Sequence, residues 1–127
     1  MKVTAIALFA GLTLAGGVQA ADGKAVFDQT CLACHGAAGA GVPGVFPPLT
    51  NSDFFKKAKP PELARIVTHG LTGEVKVNGQ SYNNIMPPQS TLSDEEIAAV
   101  LNYVSSEFNK GKAMMTPDVV RKARATP

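Results

Sequence analysis

The sequence predicts a mostly α-helical fold built from short helices and one small β-hairpin. The clearest helix begins after Ser93, because Ser93 and Glu96 have the spacing of a capping box. Apolar residues then recur with the period of a helix, at Ile97, Val100, Leu101 and Val104. The one strand signal is Asn78-Gly79, a dipeptide typical of a tight hairpin turn. Helices therefore dominate the predicted fold.

Residues 1–20 have the composition of a secretory signal peptide. Met1-Lys2 precedes an apolar run that ends at Val18, and Val18-Gln19-Ala20 is a small-x-small ending. We expect cleavage after Ala20, export to the bacterial periplasm and no stable membrane insertion afterwards. An uncleaved membrane anchor is the alternative, for which the apolar run is rather short.

The rest of the chain has the length and charge of one small, nearly neutral domain. We expect this domain at residues 21–110, followed at residues 111–127 by a basic helical tail that packs on it or extends from it. The tail helix is expected to begin at Thr116-Pro117-Asp118 and, because its apolar face is weak, to lie on the surface. The sequence has 12 Lys and Arg against 10 Asp and Glu, and removal of Lys2 leaves 11 against 10. A nucleic-acid partner would require a basic stripe, so none is expected.

A C-x-x-C-H motif, Cys31-Leu32-Ala33-Cys34-His35, follows the first predicted helix. Asp22 is a good N-cap for this helix, which we expect over Gly23–Thr30. The motif is typical of covalent haem attachment. Two thiols one helical turn apart can bond to the two vinyl groups of a haem, and the adjacent imidazole can then ligate the iron. We therefore predict one haem c, attached through two thioethers, with His35 as the proximal ligand.

Three other uses of the two cysteines stay open at this point. A structural zinc site needs four ligands, and outside the motif the sequence offers one further histidine, His69. A redox-active dithiol is expected in a βαβ context, whereas a glycine-rich segment follows Cys34. The third alternative is a structural disulfide, which an exported chain with two cysteines often forms.

The second iron ligand is expected to be Met86, which directly precedes Pro87-Pro88. The two prolines favour an extended backbone and stiffen the loop, so less chain entropy is lost when the weak bond from the methionine thioether to iron forms. A histidine–methionine pair raises the reduction potential, and iron with both axial positions filled favours electron transfer over catalysis. The alternatives are His69, Met114, Met115 or an open position.

The remaining segments fit the same fold. Residues 36–49 are rich in glycine and proline, which predicts a loop, and we expect this loop to wrap the haem edge. Proline in the first turn and glycine at the end predict a short helix over Pro60–Gly70. The two strands of the hairpin are expected at Glu74–Val77 and Gln80–Tyr82.

These residues resemble the class I c-type cytochromes, and the resemblance covers the chain after the signal. Gly23 and Phe27 precede Cys31 at the spacing of the family's first helix, and Leu101–Val104 is similar to its C-terminal helix. The resemblance implies a small cytochrome c fold, with short helices around the haem and a loop that carries the methionine ligand. It also implies that the two helices cross closely at Gly23, with Tyr103 packed near Phe27.

Pro47-Pro48-Leu49 is similar to the family's Pro-x-Leu signature. In the family, the carbonyl of that proline accepts a hydrogen bond from the ring N–H of the proximal histidine and so fixes its tautomer. We assign this role to Pro47. Other segments resemble bacterial periplasmic cytochromes, free or fused, that serve terminal reductases such as copper nitrite reductase: Gly41–Leu49, His69–Gly73, Tyr82–Pro87 and Thr116–Val120.

Together these features predict a periplasmic electron carrier without substrate turnover of its own. Its haem iron is expected to cycle between Fe(III) and Fe(II), between a membrane-bound quinol-oxidising donor and a terminal reductase or oxidase. The rival hypotheses are a haem subunit fixed in an enzyme complex and a ligand-binding or catalytic haem protein with an open iron. Docking is expected at the haem edge, among Val42, Val45 and Ile85.

Two polar features have both a functional and a structural interpretation. Arg65 and Tyr82 can serve as partners for the haem propionates, or can belong to a helix surface and to hairpin packing. Three lysines can steer an acidic partner, or can belong to a solvated loop: Lys56, Lys57 and Lys59.

Overall fold

The computed structural model describes residues 19–126, so most of the predicted signal peptide (residues 1–18) and Pro127 lie outside the described range. Its helices are α1 (Gly23–Val26), α2 (Leu32–His35), α3 (Asp53–Lys57), α4 (Pro60–His69), α5 (Asp94–Tyr103) and α6 (Pro117–Ala125). The π-helical segment Phe27–Cys31 joins α1 to α2, and a second π-helical segment, Val104–Phe108, extends α5. An antiparallel hairpin pairs β1 (Val75–Val77) with β2 (Gln80–Tyr82). The fold is mostly α-helical, as predicted. Within residues 19–126, no helix has the length and apolar composition needed to cross a membrane.

α1, the π-helical segment that follows it and α2 form one continuous N-terminal helix, residues 23–35. This helix carries the C-x-x-C-H motif in its last turns. The Asp22 carboxylate accepts hydrogen bonds from the backbone N–H groups of Lys24 (3.0 Å) and Ala25 (3.3 Å), which fixes the start of α1. The prediction for this helix was too short, because the helical backbone continues to His35. The Leu32 N–H donates a hydrogen bond to the Phe27 carbonyl, five residues earlier. The π-helical segment therefore leads into the motif without a break in the helical backbone.

α1 crosses α5 at Gly23, where the two backbones lie close together. A Cβ atom at Gly23 would lie 2.2 Å from the carbonyl oxygen of Ala99, so a larger residue would force the helices apart. Beside the crossing, the ring centroid of Phe27 lies 5.7 Å from that of Tyr103 and 5.1 Å from that of Phe108. Aromatic pairs at this spacing add to the stability that their burial supplies. The close crossing and the Phe27–Tyr103 contact are confirmed.

α5 begins at the predicted capping box. The Ser93 hydroxyl accepts a hydrogen bond from the Glu96 N–H (3.1 Å), and the Glu96 carboxylate accepts one from the Ser93 N–H (2.8 Å). The predicted apolar stripe of α5 and its extension is buried: Ile97, Val100, Leu101 and Val104. This stripe forms one side of the core, on which the other helices pack.

The hairpin has the predicted turn. Val75 pairs with Tyr82 and Val77 with Gln80, which leaves Asn78 and Gly79 as the two turn residues. Their φ angles are +52° and +82°. Positive φ at both positions is the requirement of a type I′ turn, which matches the twist of the two strands.

α3 is a helix that was not predicted from the sequence, and it corrects the interpretation of Lys56 and Lys57 as part of a solvated loop. The Ser52 hydroxyl caps this helix by accepting a hydrogen bond from the Phe55 N–H (3.1 Å). Asp53 and Asn78 exchange two hydrogen bonds, each from a backbone N–H to the other's side-chain oxygen (2.9 and 2.7 Å). A helix of one to two turns does not form in isolation. The contact with the hairpin, which is distant in sequence, therefore supports it.

α6 is more than a surface element, which corrects the expectation from its weak apolar face. Val120 is fully buried and Ala123 is nearly so, and both belong to the core that α4 and α5 also form. The Asn102 amide on α5 holds the segment before α6, since its oxygen accepts hydrogen bonds from the Met114 and Met115 N–H groups (2.9 and 2.8 Å). Two apolar positions at helical spacing are therefore enough to pack this helix.

Candidate cofactor site

An apolar cavity lies between the N-terminal helix, α3, α4, the hairpin and α5. Its lining includes the C-x-x-C-H motif on one segment and Met86 on another. The apolar lining residues include Phe46, Leu49, Phe54, Phe55, Leu63, Ile66, Val67, Val75, Val77, Val100, Leu101 and Val104. Such a lining suits a flat, largely apolar ligand, with a few polar groups to orient it.

His35 ends α2 and is held by the loop that follows. Its Nδ1 atom lies 2.9 Å from the carbonyl oxygen of Pro47, and because a carbonyl can only accept, Nδ1 carries the proton. The lone pair is then on Nε2, the atom that remains available for a metal. Burial lowers the pKa of His35, and the hydrogen bond to Pro47 opposes this effect. The site therefore favours a neutral imidazole in one tautomer, which is the form that ligates iron.

Gly41 makes room for the Pro47 carbonyl. A Cβ atom at Gly41 would lie 2.3 Å from the carbonyl oxygen of Phe46 and 2.8 Å from that of Pro47. The φ angle of Gly41 is +65°, which is unfavourable for other residues. Its N–H also donates to the carbonyl of His35 (2.8 Å), so the loop folds back onto the end of α2.

Cys31 and Cys34 are free thiols that line the cavity beside His35. Burial, with a smaller effect of the neighbouring Cys34, raises the pKa of Cys31 to about 11, so its thiol is protonated at neutral pH. The free thiols do not support the disulfide alternative. Among residues 19–126, no cluster of three or more His, Cys, Asp or Glu side chains is placed to hold a metal ion, so the zinc alternative also lacks support.

Met86 reaches the cavity from a loop that is attached to the end of α4. Its N–H and C=O groups exchange two hydrogen bonds of 2.9 Å with Leu71. A Cβ atom at Gly70, whose φ is +80°, would lie only 2.6 Å from the Met86 carbonyl oxygen. The backbone of Met86 is therefore fixed by its neighbours, while its half-buried side chain lines the cavity.

The other three candidates for the second ligand do not line this cavity. His69 is exposed, and its Nε2 lies 3.0 Å from the carbonyl oxygen of Ala123 on α6. Met115 is buried in the core, and Met114 packs against that core. Of the four candidates, all within the described residues, Met86 is thus the one that the fold brings together with His35.

The two candidates for propionate partners lie in different places. Tyr82 is buried and lines the cavity, and its hydroxyl donates to the side-chain oxygen of Gln80 (3.2 Å). Arg65 is exposed and lines a groove between α4 and α6, beside Val119 and Lys122. Arg65 fits its second interpretation, as part of a helix surface, because its side of α4 faces α6 and the side with Ile66 and Val67 faces the cavity.

The contribution of Asn109 was not predicted from the sequence. Its buried amide accepts a hydrogen bond from the Ser52 N–H (3.0 Å) and donates to the carbonyls of Leu49 (2.9 Å) and Val104 (3.1 Å). Asn109 thereby joins the end of α5 and its π-helical extension to the loop that contributes Leu49 to the cavity. No local pattern marks such a residue. The apolar lining from α3 and α4 was missed too, although Phe54-Phe55 and Ile66-Val67 are conspicuous apolar pairs.

Several known proteins are similar in sequence to this chain. The sequence profile of the family described as Cytochrome c matches residues 20–107. Cytochrome c-552 of Thermus thermophilus is 38% identical, over 98% of this chain and 88% of that protein. A Cbb3-type cytochrome c oxidase subunit FixP of Azorhizobium caulinodans is 34% identical, over 68% of this chain but 28% of the subunit. The fructose dehydrogenase cytochrome subunit of Gluconobacter japonicus is 27% identical, over 82% of this chain and 22% of that subunit.

Proposed function

The chain belongs to the cytochrome c family, and we propose that within this family it is a one-electron carrier of the bacterial periplasm. Family membership implies a covalently bound haem c, for which Cys31 and Cys34 are the attachment residues we assign. The haem supplies a one-electron couple between Fe(III) and Fe(II) when bound. The roles of the chain are to hold the iron ligands, to exclude water from the site and to present one edge to a partner.

One observation carries this proposal: His35 and Met86 come from separate segments but line the same apolar cavity, each with a fixed backbone. The Pro47 carbonyl keeps the proton of His35 on Nδ1, so that Nε2 is available as an iron ligand. The hydrogen bonds to Leu71 hold Met86 in place before its sulfur bonds to iron, which reduces the entropy that ligation costs. We assign His35 and Met86 as the two residues that would ligate the haem iron.

Ligation by both residues favours electron transfer over catalysis. Iron held by both a histidine and a methionine would have a raised reduction potential, and it would have no open position for a substrate. The protein is therefore proposed to turn over no substrate of its own. Its redox partners are proposed to be a membrane-bound quinol-oxidising donor and a periplasmic reductase or oxidase. The segments that resemble reductase-linked cytochromes make copper nitrite reductase one candidate acceptor.

The periplasmic location is supported by the signal-like composition of residues 1–20. Assembly of a haem c in an exported protein is also consistent with the two free thiols, since the sequence contains no third cysteine to compete for them. Haem detection and immunoblotting of periplasmic and membrane fractions test this location. Retention of the protein in the membrane fraction would favour the uncleaved anchor.

Partner docking is proposed at the mouth of the cavity. Ile85 lines the cavity with 67% of its surface exposed, and Val42 and Val45 are exposed on the loop that also supplies Phe46. Exposed apolar side chains of this kind suit a short-lived contact with another redox protein. Lys56 and Lys57 are exposed on α3, but Lys57 pairs with Asp53 (3.2 Å), which weakens the case for a steering cluster.

A second candidate function is a haem subunit fixed within an enzyme complex. Its support is that some relatives are named as subunits of an oxidase and of a dehydrogenase, in which the matched region is about a quarter of the length. Gel filtration of the native periplasmic fraction separates the two candidates. Elution of the haem with a large enzyme would favour the subunit and contradict the free carrier.

The visible spectrum of the ferric, haem-loaded protein tests the ligand assignment. Methionine sulfur on ferric haem iron gives a weak red charge-transfer band, which we expect in the wild type and not in Met86→Ala. Met114→Ala is the matched control, because it also removes a methionine but lies outside the cavity. A wild type without the band, or with rapid carbon monoxide binding in the ferrous state, would instead support an open iron.

A further inference from the structure

We propose that the last turn of α6 positions the Met86 loop, defined here as residues 83–92; this inference rests on the proposed ligation by Met86. Two residues of that turn make the contacts, Ala123 through its carbonyl and Arg124 through its guanidinium. The Ala123 carbonyl contacts His69, which lies two residues before Leu71, the backbone partner of Met86. The Arg124 guanidinium contacts Leu92, the last residue of the loop. The turn therefore acts on the loop from both of its attachments.

The first attachment joins the Met86 loop to the end of α4. Besides the two Met86–Leu71 hydrogen bonds, the Gln89 N–H donates to the Val67 carbonyl (2.9 Å). The carbonyl of Met86 also packs directly against Gly70. The position of Met86 consequently follows the position of residues 67–71, because these three backbone bonds and one tight contact leave little independent motion.

α6 holds that end of α4 through His69. The Nε2 atom of His69 lies 3.0 Å from the Ala123 carbonyl oxygen, and since the carbonyl can only accept, Nε2 carries the proton. His69 directly precedes Gly70, so this bond fixes the point at which the chain leaves α4 and turns toward Leu71. Ala123 is itself a buried core residue, which makes it a firm anchor.

The second attachment is the far end of the loop. One nitrogen of the Arg124 guanidinium donates to the Leu92 carbonyl (2.9 Å), and another donates to the Asp94 carboxylate (3.0 Å). The planar fork of arginine allows both bonds at once and fixes the loop end relative to the start of α5. The bond from the Met86 sulfur to iron is weak, and it competes poorly with other ligands unless the Met86 loop is held in place. Loss of either contact should therefore favour displacement of Met86.

The experiment measures how readily added imidazole displaces the sixth ligand in the ferric, haem-loaded protein. We expect His69→Ala and Arg124→Ala each to bind imidazole about three- to tenfold more tightly than the wild type. His69→Ala loses its one bond to α6, and Arg124→Ala loses its one bond to the loop together with the bond to Asp94. His69→Gln keeps an N–H donor and should restore much of the wild-type affinity. Arg121→Ala is the matched control, because Arg121 lies on the same helix but pairs only with Asp118 of that helix among the described residues.

The outcomes separate this inference from the proposed function. Unchanged imidazole affinity in both variants, with lower free energies of unfolding, would show that α6 only stabilises the fold and would overturn the inference. An equal change in Arg121→Ala would overturn it too, because the effect would then follow the loss of charge. A wild type without the methionine–iron band would overturn the Met86 ligation itself, and it is recognised before any α6 variant is made.

Discussion

Replacement of Gly41 by alanine tests whether the Pro47 carbonyl controls His35. The added methyl group would lie 2.3 Å from the Phe46 carbonyl oxygen and 2.8 Å from that of Pro47. Both are backbone atoms, so the peptide groups must move. The Pro47 oxygen is the atom 2.9 Å from Nδ1 of His35. Gly41→Ala therefore acts on the proximal histidine without changing any side chain that lines the cavity.

Two costs set the magnitude of the effect on stability. A left-handed backbone costs a residue other than glycine about 1–2 kcal/mol. Weakening the His35–Pro47 hydrogen bond, as the displaced peptide must, adds about 1–2 kcal/mol. We expect the free energy of unfolding of the ferric, haem-loaded protein to fall by about 2–4 kcal/mol. A weaker hydrogen bond also makes His35 a less basic ligand, which disfavours the ferric state and raises the reduction potential.

The potential is the sharper measurement. A one-electron potential changes by about 59 mV for a tenfold change in relative affinity for the two oxidation states, so a rise of some tens of millivolts is expected. Gly73→Ala is the matched control, because Gly73 has a φ of +92° but no atom within 4 Å of the position that a Cβ would take. Guanidinium unfolding and a spectroelectrochemical titration compare the two variants. Equal losses of stability and an unchanged potential would refute the role of the Pro47 carbonyl.

Three further substitutions test other contacts of the fold. In Gly70→Ala the added methyl would lie 2.6 Å from the Met86 carbonyl oxygen, so we expect the methionine–iron band in the ferric visible spectrum to weaken. Asn109→Ala removes three hydrogen bonds of a buried amide and should lower the free energy of unfolding in guanidinium by about 2–4 kcal/mol. The bond from the Asn78 N–H, with help from a neighbouring lysine, holds the pKa of Asp53 below its ordinary value of 3.8. The stability that wild type gains over Asp53→Asn should therefore be complete above pH 3.8 and disappear as the pH falls through the lower, folded-state pKa, as urea unfolding across this range will show.

Two matched controls and one contrary outcome make these three results specific. Gly79→Ala has the backbone cost of a positive φ in open space, so an equal loss of the band in this variant would contradict the contact with Met86. Asn83→Ala removes an exposed amide, and a comparable loss of stability there would show that burial of Asn109 is not the cause. For Asp53, a stability difference that stays constant through the acidic range would exclude the titration of this carboxyl group.

The parts of the fold that the sequence predicted well are those specified by neighbouring residues. The capping box at Ser93, the positive-φ turn at Asn78-Gly79 and the helix spacing of the C-x-x-C-H motif each depend on contacts within a few residues. Local signals of this kind are complete in a short window, so a pattern can identify them. The candidate pairing of His35 with Met86 followed from residue chemistry and from the family resemblance.

The errors arose where an element depends on a distant partner. α3 is stabilised by the hydrogen bonds that Asp53 exchanges with Asn78, which lies 25 residues away. For Arg65 the sequence left two interpretations open, a propionate partner and a helix surface, because α4 has two covered sides, one toward the cavity and one toward α6. A single apolar stripe predicts one buried side of a helix, and it does not reveal which neighbour covers each side.

The two proposed iron ligands are held by the same structural device. In each case a backbone carbonyl or peptide group approaches closely because a glycine with positive φ leaves room, Gly41 for the Pro47 carbonyl and Gly70 for the Met86 peptide. Packing of apolar side chains around the cavity can relax after a mutation, whereas these backbone contacts have no side chain that can adjust. Substitutions at the two glycines should therefore change ligation and potential more than conservative changes of the cavity lining such as Val67→Ile, although neither glycine lines the cavity.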